Sequence, residues 1–199
     1  MTEPSTKERI LEAAIAVIDE KGEAGIRIDD LLREVGVAAP TLYHHFGNRE
    51  GLVLAAQAER FLRTLRVEVP LVIEAFNKCE TIDDLRAALR FTVSLRGDRS
   101  NVQRRLRRLN ALGSAYARPE LAHLMIRAHD AMVKDVADSL RQFQTRGLIR
   151  NDIDLDMVVA WYNGSVLGSL LVEIDETVLD PDKWSEVMLD AVEHLLFGI

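Results

Sequence analysis

The sequence predicts an all-α protein, a three-helix N-terminal head followed by a larger helical body. Apolar residues recur at three- and four-residue spacing through nearly every segment of the 199-residue chain. Helix punctuation frames those segments: Ser5-Thr6-Lys7-Glu8 reads as a capping box, and Gly22, Gly36 and Gly47 as stops. Strand signals are poor, with little sustained period-2 alternation.

The elements follow in order. Behind the capping box, Leu11, Ala14, Ile15 and Ile18 give a first helix over residues 6–21. Ile28 to Val35 makes about two turns, with Asp29 and Asp30 at the positive end of its dipole. After Gly36-Val37, Pro40 opens a second short helix to Phe46. Asn48 caps a helix from Arg49 to Val69, broken at Pro70, with a short helix over 71–78 beyond. Thr81 with Asp84 caps another that ends near Gly97. A basic helix over 100–113 places Val102, Leu106, Leu109 and Leu112 or Gly113 on one face. Pro119 starts a long helix that stops before Gly147; 148–154 connects it to a helix over 155–174; and Asp180-Pro181 starts the last, to Phe197.

Composition excludes several classes. With 48% apolar and 29% charged residues, the chain buries a core and is not disordered. No apolar run is read as reaching the ~18–20 residues of a membrane span. Met1 to Lys7 is polar, so no secretory signal and a cytoplasmic location are expected. A single cysteine, Cys79, excludes a disulfide scaffold and a cysteine-only metal site. Charge is uneven: residues 1–50 carry 6 basic and 10 acidic groups, whereas 85–118 carry 9 and 1.

The head carries the functional motif. Two short helices joined by a tight glycine turn form the helix-turn-helix pattern, whose second helix enters the DNA major groove. On that helix Leu42 and Phe46 face inward, four apart. Thr41, Tyr43, His44 and His45 cannot all do so, which leaves an aromatic and hydroxyl surface outside.

Gly36-Val37-Ala38-Ala39-Pro40-Thr41-Leu42-Tyr43-His44-His45-Phe46, with Asn48-Arg49-Glu50 and Leu52, resembles the DNA-binding head of the TetR (tetracycline-repressor-like) transcriptional regulators. The specific resemblance covers about residues 8–54; beyond it only the helical plan matches. It implies a DNA-binding domain over residues 1–47 and an effector-binding and dimerisation body over 48–199. Ala39, Pro40, Thr41, Tyr43 and His44 would face the groove, Tyr43 and His45 would touch phosphate, and Arg49 would grip a phosphate. Ile26-Arg27 stands where the family usually has Ser or Thr, so Arg27 is the substitute phosphate contact. Ala39 replaces a common Lys, so readout leans on apolar contacts, water and DNA shape. The head's acidic balance implies a shallow salt dependence.

In the body, Arg104, Arg105, Arg107 and Arg108 read as a solvated face, or one paired with acidic residues. Phe76, Phe91, Tyr116, Met125, Met132, Trp161 and Tyr162 are apolar or aromatic at helical spacing, and they and His129 are the candidates to line an effector pocket. Gly164, Ser165 and Gly168 form a smooth strip which, with Trp161, Leu171, Val187, Met188 and Leu195, is the candidate dimer face. The resemblance implies a homodimeric, ligand-responsive repressor of a palindromic operator in double-stranded DNA, answering to a hydrophobic or aromatic effector. The alternative is a helical adaptor without a small-molecule effector. No cofactor, metal, membrane contact or enzymatic activity is expected, since no phosphate-binding glycine loop, paired metal motif or reactive-cysteine context is present.

Overall fold

The computed structural model describes residues 3–95, 99–173, 177 and 179–198. Among them the order is α1 (Thr6–Lys21), a 3-10 turn (Glu23–Gly25), α2 (Ile28–Val35), α3 (Ala39–Phe46), α4 (Arg49–Asn77), α5 (Ile82–Ser94), α6 (Arg99–Ala115), α7 (Pro119–Thr145), α8 (Leu155–Gly168), α9 (Leu170–Glu173) and α10 (Pro181–Phe197). The stop expected near Gly97 lies outside the described residues. Both capping boxes form: Ser5 with Glu8, and Thr81 with Asp84.

Two compact units result, residues 1–63 with 110–125 and residues 64–109 with 126–199. In the first, Ile10, Ala14, Ile15 and Ile18 of α1 pack with Leu31, Leu32 and Val35 of α2, Leu42 of α3, and Leu52, Val53 and Ala56 of α4. In the second, the buried residues include Phe76, Leu85, Leu89, Leu140, Phe143, Val158, Met188, Val192 and Leu196.

Three expectations change. Pro70 does not break α4, which runs through it to Asn77. Pro70 is exposed, while Phe61, Leu65 and Phe76 are buried on either side; their packing outweighs the ~3 kcal/mol that an interior proline costs. On α6 the buried positions are Arg105, Arg108, Ala111 and Ala115, whereas Leu109 and Leu112 are exposed. The helical period is as predicted, but the face turned inward lies one residue, about 100°, round from the leucines, with Val102 and Leu106 partly buried at its edge. The stretch Leu155–Glu173 does reach the length and composition of a membrane span, with mean hydropathy 1.3. Only 33% of that window is buried within the chain, and the helix is interrupted at Ser169, whose hydroxyl donates to the Val166 carbonyl.

Candidate functional site

Recognition-type geometry in the head begins with the turn. Gly36 closes α2 in the left-handed conformation, φ 72° and ψ 42°, which an L side chain adopts only with strain. Its N–H and that of Val37 both donate to the Leu32 carbonyl, at 2.9 and 3.1 Å. That pattern ends α2 sharply and sends the chain into α3. Eight residues do not hold a helix alone in water. Leu42, 0% exposed, and the partly buried Ala39 and Phe46 hold α3 against the head core. Its far end is fixed by a close approach. A Cβ on Gly51 would lie 2.0 Å from the Phe46 carbonyl oxygen, so α4 starts here only with glycine. Asn48 caps that start, its Oδ1 accepting from the Gly51 N–H at 2.8 Å.

With Leu42, Ala39 and Phe46 turned to the core, the other α3 side chains point away from it. Tyr43 is 49% exposed, Pro40, His44 and His45 are exposed, and Ala39 and Thr41 are half-buried. The His44 and His45 rings meet edge-on with centroids 5.2 Å apart. No carboxylate lies on α3. Arg27 is the N-terminal flanking residue of α2, exposed and making no side-chain cap. Arg49 is used differently from the expectation: its Nε donates to the Ile26 carbonyl at 3.1 Å and its Nη2 to that of Glu23 at 2.6 Å. These bonds tie the start of α4 to the segment leading into α2.

Sequence reasoning missed a polar network in this unit. Arg60, only 6% exposed, binds Asp19 at 2.8 Å, Gln57 Oε1 at 2.6 Å and Asn110 Oδ1 at 2.8 Å. The Glu23 carboxylate accepts from Ser114 and Gln57, both at 2.5 Å, and from Arg118 at 2.9 Å. Burial alone would push the Glu23 carboxyl up, but these donors outweigh it and hold it below its usual range. Arg118 also pairs with Glu50, and Arg63 with Glu12. Four carboxylates of the acidic head are therefore matched by arginines from outside residues 1–50, and the negative field beside α3 is weaker than the composition suggests. The partners lie up to 95 residues apart, beyond any local sequence pattern.

The second unit holds a cavity of about 100 Å³. Leu65, Glu68, Val69 and Val72 of α4 line it with Thr92 of α5, Arg105 and Arg108 of α6, Met132 and Val136 of α7, and Val159, Tyr162, Asn163 and Val166 of α8. An apolar chamber of about 40 Å³ adjoins it, sharing Val72, Thr92, Val136, Val159 and Tyr162 and adding Phe76, Leu89 and Leu140. The Thr92 and Tyr162 hydroxyls are 2.9 Å apart on the shared wall.

Arg105 and Arg108 are each 2% exposed, which corrects the reading of their run as a solvated face. Pairing with acidic residues does occur: Arg105 with Glu173, and Arg104 with Glu68 at 3.6 Å. Arg108 donates to Asn163 Oδ1 at 2.7 Å. Burial pushes the Glu68 carboxyl above its usual range despite the neighbouring Arg108 and Arg104. Burial and the Arg108 charge push the His129 imidazole down, against a hydrogen bond with Asn163.

Of the pocket candidates, Phe76, Met132 and Tyr162 line these chambers, and His129 reaches the first through Asn163. Four are placed elsewhere. Tyr116 is 96% exposed, Phe91 points outward, Met125 is buried in the first unit, and Trp161 lines an open groove with Met157 and Leu195. Phe91, Met125 and Trp161 sit on helices whose apolar residues occupy more than one face, so spacing did not say which face turns inward, and Tyr116 lies in the turn after α6. Arg105 and Arg108 were missed because polar residues in a run read as surface, and Thr92, Glu68 and Asn163 because a single polar residue in an apolar stretch carries no sign of which way it faces.

Among the dimer-face candidates, Leu171 is 78% and Val187 68% exposed, Trp161 and Gly164 are exposed, and Ser165 and Leu195 are half-buried. Met188 is corrected: at 3% exposed it belongs to the core of its own chain. Gly168 also faces inward, with Trp184 lying 3.5 Å from where its Cβ would be.

Comparison with known proteins agrees with this geometry. A sequence model described as "Bacterial regulatory proteins, tetR family" matches residues 10–56, the span of the head core and the α2–α3 turn. The HTH-type transcriptional regulator BetI of Stenotrophomonas maltophilia is 31% identical over 130 residues, 64% of this chain and 63% of that protein. Among solved structures, GusR of Salmonella enterica superposes with a TM-score of 0.72 at 18% identity, covering 98% of both chains. A Saccharomonospora viridis protein in complex with choline superposes with a TM-score of 0.69 at 20% identity, over 96% of both chains.

Proposed function

Because the chain belongs to the tetR family of bacterial regulatory proteins, we propose that it regulates transcription as a homodimeric, ligand-responsive repressor of a near-palindromic operator. The observation that carries this reading is the outward surface of α3, where Tyr43, His44 and His45 project beside Thr41 while Leu42 anchors the helix. Hydroxyl and imidazole groups reach base edges and phosphates, and Arg27 with the N-terminus of α4 supplies further phosphate donors. Arg49 acts in this reading mainly as a strut, with its Nε and Nη2 already bonded to main-chain carbonyls. Ala39 offers no hydrogen bond at the start of α3, so shape and water carry a large share of the readout.

Two heads on a twofold axis would read half-sites about 34–36 Å apart, one turn of DNA. The exposed apolar residues of α8–α10, Met157, Trp161, Leu171 and Val187, supply a face suited to a second copy. The apolar chambers of the body are the effector site. An effector there stabilises a conformation whose heads no longer match the operator spacing, and by linkage the operator weakens the effector equally, by about 1–3 kcal/mol. The cavity favours this reading over an adaptor without an effector. Such a protein acts on cytoplasmic DNA.

Selection of bound duplexes from a randomised pool tests the proposal. It predicts recovery of an inverted repeat with half-site centres about one turn apart. Recovery of unrelated sequences, with no enrichment over rounds, would refute it.

A further inference from the structure

We propose that Arg118, in the corner between α6 and α7, is a positioning residue for DNA binding: by gripping Glu23 and Glu50 together it holds the entrance and the exit of the helix-turn-helix in place. This rests on the reading of α3 as the surface that meets DNA. It gives part of that function to a residue well outside residues 10–56, the span that resembles the family.

The helix-turn-helix is a length of chain closed at its base. It is entered through the 3-10 turn Glu23–Gly25 and left at Arg49. Arg49 ties exit to entrance, its Nε and Nη2 donating to the Ile26 and Glu23 carbonyls. Glu23 is thus held by its main chain from one side. Its side chain is held from the other, where Oε2 accepts from Arg118 Nη2 at 2.9 Å and Oε1 accepts from Ser114 and Gln57. Arg118 Nε donates to Glu50, the residue after Arg49. One guanidinium therefore touches both ends of the loop. Its planar fork can span two carboxylates, which a single ammonium does poorly.

Arg118 acts from a fixed base. Its Nη1 donates to the Ser114 carbonyl at 3.0 Å, and its own carbonyl accepts from the Ala122 N–H at 2.9 Å. Ala111 and Ala115 before the corner, and Leu121 and Met125 after it, are buried in the compact unit that contains the head core. The Arg118 and Glu23 side chains are only 20% and 27% exposed, so their pair is better shielded from water than an open surface bridge.

Position matters here because α3 has little else to set its aim. Leu42 is its one fully buried side chain, and its C-terminal end runs straight into Asn48 and Arg49. A shift at the base re-aims Tyr43, His44 and His45, and hydrogen bonds to bases and phosphates weaken steeply off their geometry.

Glu23 gives the proposal a sign. Taking a negative charge out of the head, by field alone, would tighten binding to phosphates. Taking away what Arg118 grips weakens it. The experiment is fluorescence anisotropy of the full chain with its selected duplex, at a temperature where circular dichroism shows every variant folded. Glu23→Gln is expected to bind about fivefold more weakly than the parent, against the change in charge, and Arg118→Met about tenfold more weakly. The double variant should bind no worse than the weaker single, because both remove one bond. The slope of log affinity against log salt should be the same for Arg118→Met as for the parent, whereas loss of a phosphate contact lowers it by about one. Arg118→Lys, which keeps the charge without the fork, should stay below the parent. Should Glu23→Gln not fold, Ser114→Ala carries the test: it removes a donor to Glu23, changes no charge and is expected to weaken binding about threefold.

Glu23→Gln binding as tightly as the parent, or more tightly, would overturn the proposal, and so would full recovery in Arg118→Lys or a salt slope lowered by one in Arg118→Met. A role in stability alone would lower Tm and leave affinity at that temperature unchanged. Tyr43→Ala separates this inference from the one beneath it. Weak binding by Tyr43→Ala with normal binding by Glu23→Gln refutes the role of Arg118 and keeps α3 as the reading surface. Normal binding by Tyr43→Ala refutes that surface, and the role of Arg118 with it.

Discussion

Leu42→Ala probes how α3 is held. Helix α3 has eight residues, and Leu42 is the one fully buried among them. The substitution removes three carbons from a site with no exposure. At about 0.8 kcal/mol per buried methylene, the transfer cost is about 2.4 kcal/mol. The void left behind adds to it, and leucine truncations in well-packed cores fall at about 2.7–5.0 kcal/mol. Because α3 lies at the end of the head core, where its neighbours can partly settle into the space, the loss is set at about 3 kcal/mol. For a chain of this length that is a fall in Tm of about 6–12 °C. Thermal and urea unfolding followed by far-UV circular dichroism measure it. Tyr43→Ala, at a half-exposed position on the same helix, is the control and should stay within about 0.5 kcal/mol of the parent. A Leu42→Ala protein as stable as the parent would refute the claim that this side chain pins α3 to the head.

The same packing has other consequences. Gly51→Ala places a methyl 2.0 Å from the Phe46 carbonyl oxygen and should cost about 1–3 kcal/mol, whereas Gly113→Ala, with open space around it, should stabilise α6 by about 0.5–1 kcal/mol; matching melts for the two variants would contradict the tight corner. Because Glu23 is held below its ordinary value, its stabilisation is present above about pH 4.3 and is lost as pH falls through the lower folded value. Glu23→Gln should therefore melt below the parent at pH 7, with the gap closing under acid; a gap independent of pH would count against the network. Leu171→Glu combined with Val187→Glu should convert a dimer to a monomer in light scattering, and an unchanged mass would move the interface elsewhere.

Much of the head was legible because its rules are local. A capping box, a left-handed glycine and an apolar set at helical spacing each act within one or two turns, and Ser5–Glu8, Gly36 and Ile10–Ile18 behave as those rules say. The body was legible only as helices. Helical spacing gives a period, and choosing the inward face takes knowledge of what packs against it. On α6 the leucine spacing predicts the core face, yet Arg105 and Arg108 are inside because Glu173, Glu68 and Asn163 arrive from distant segments to receive them. The local penalty at Pro70 predicts a break, while buried neighbours on both sides keep α4 continuous. Glu23 and Arg118 meet through the fold alone.

The most direct test is equilibrium binding of the selected duplex, followed by fluorescence anisotropy, to the parent and to Tyr43→Ala. A surface that reads DNA through α3 predicts at least tenfold weaker binding by the variant at unchanged Tm. Equal affinity of the two proteins would contradict it.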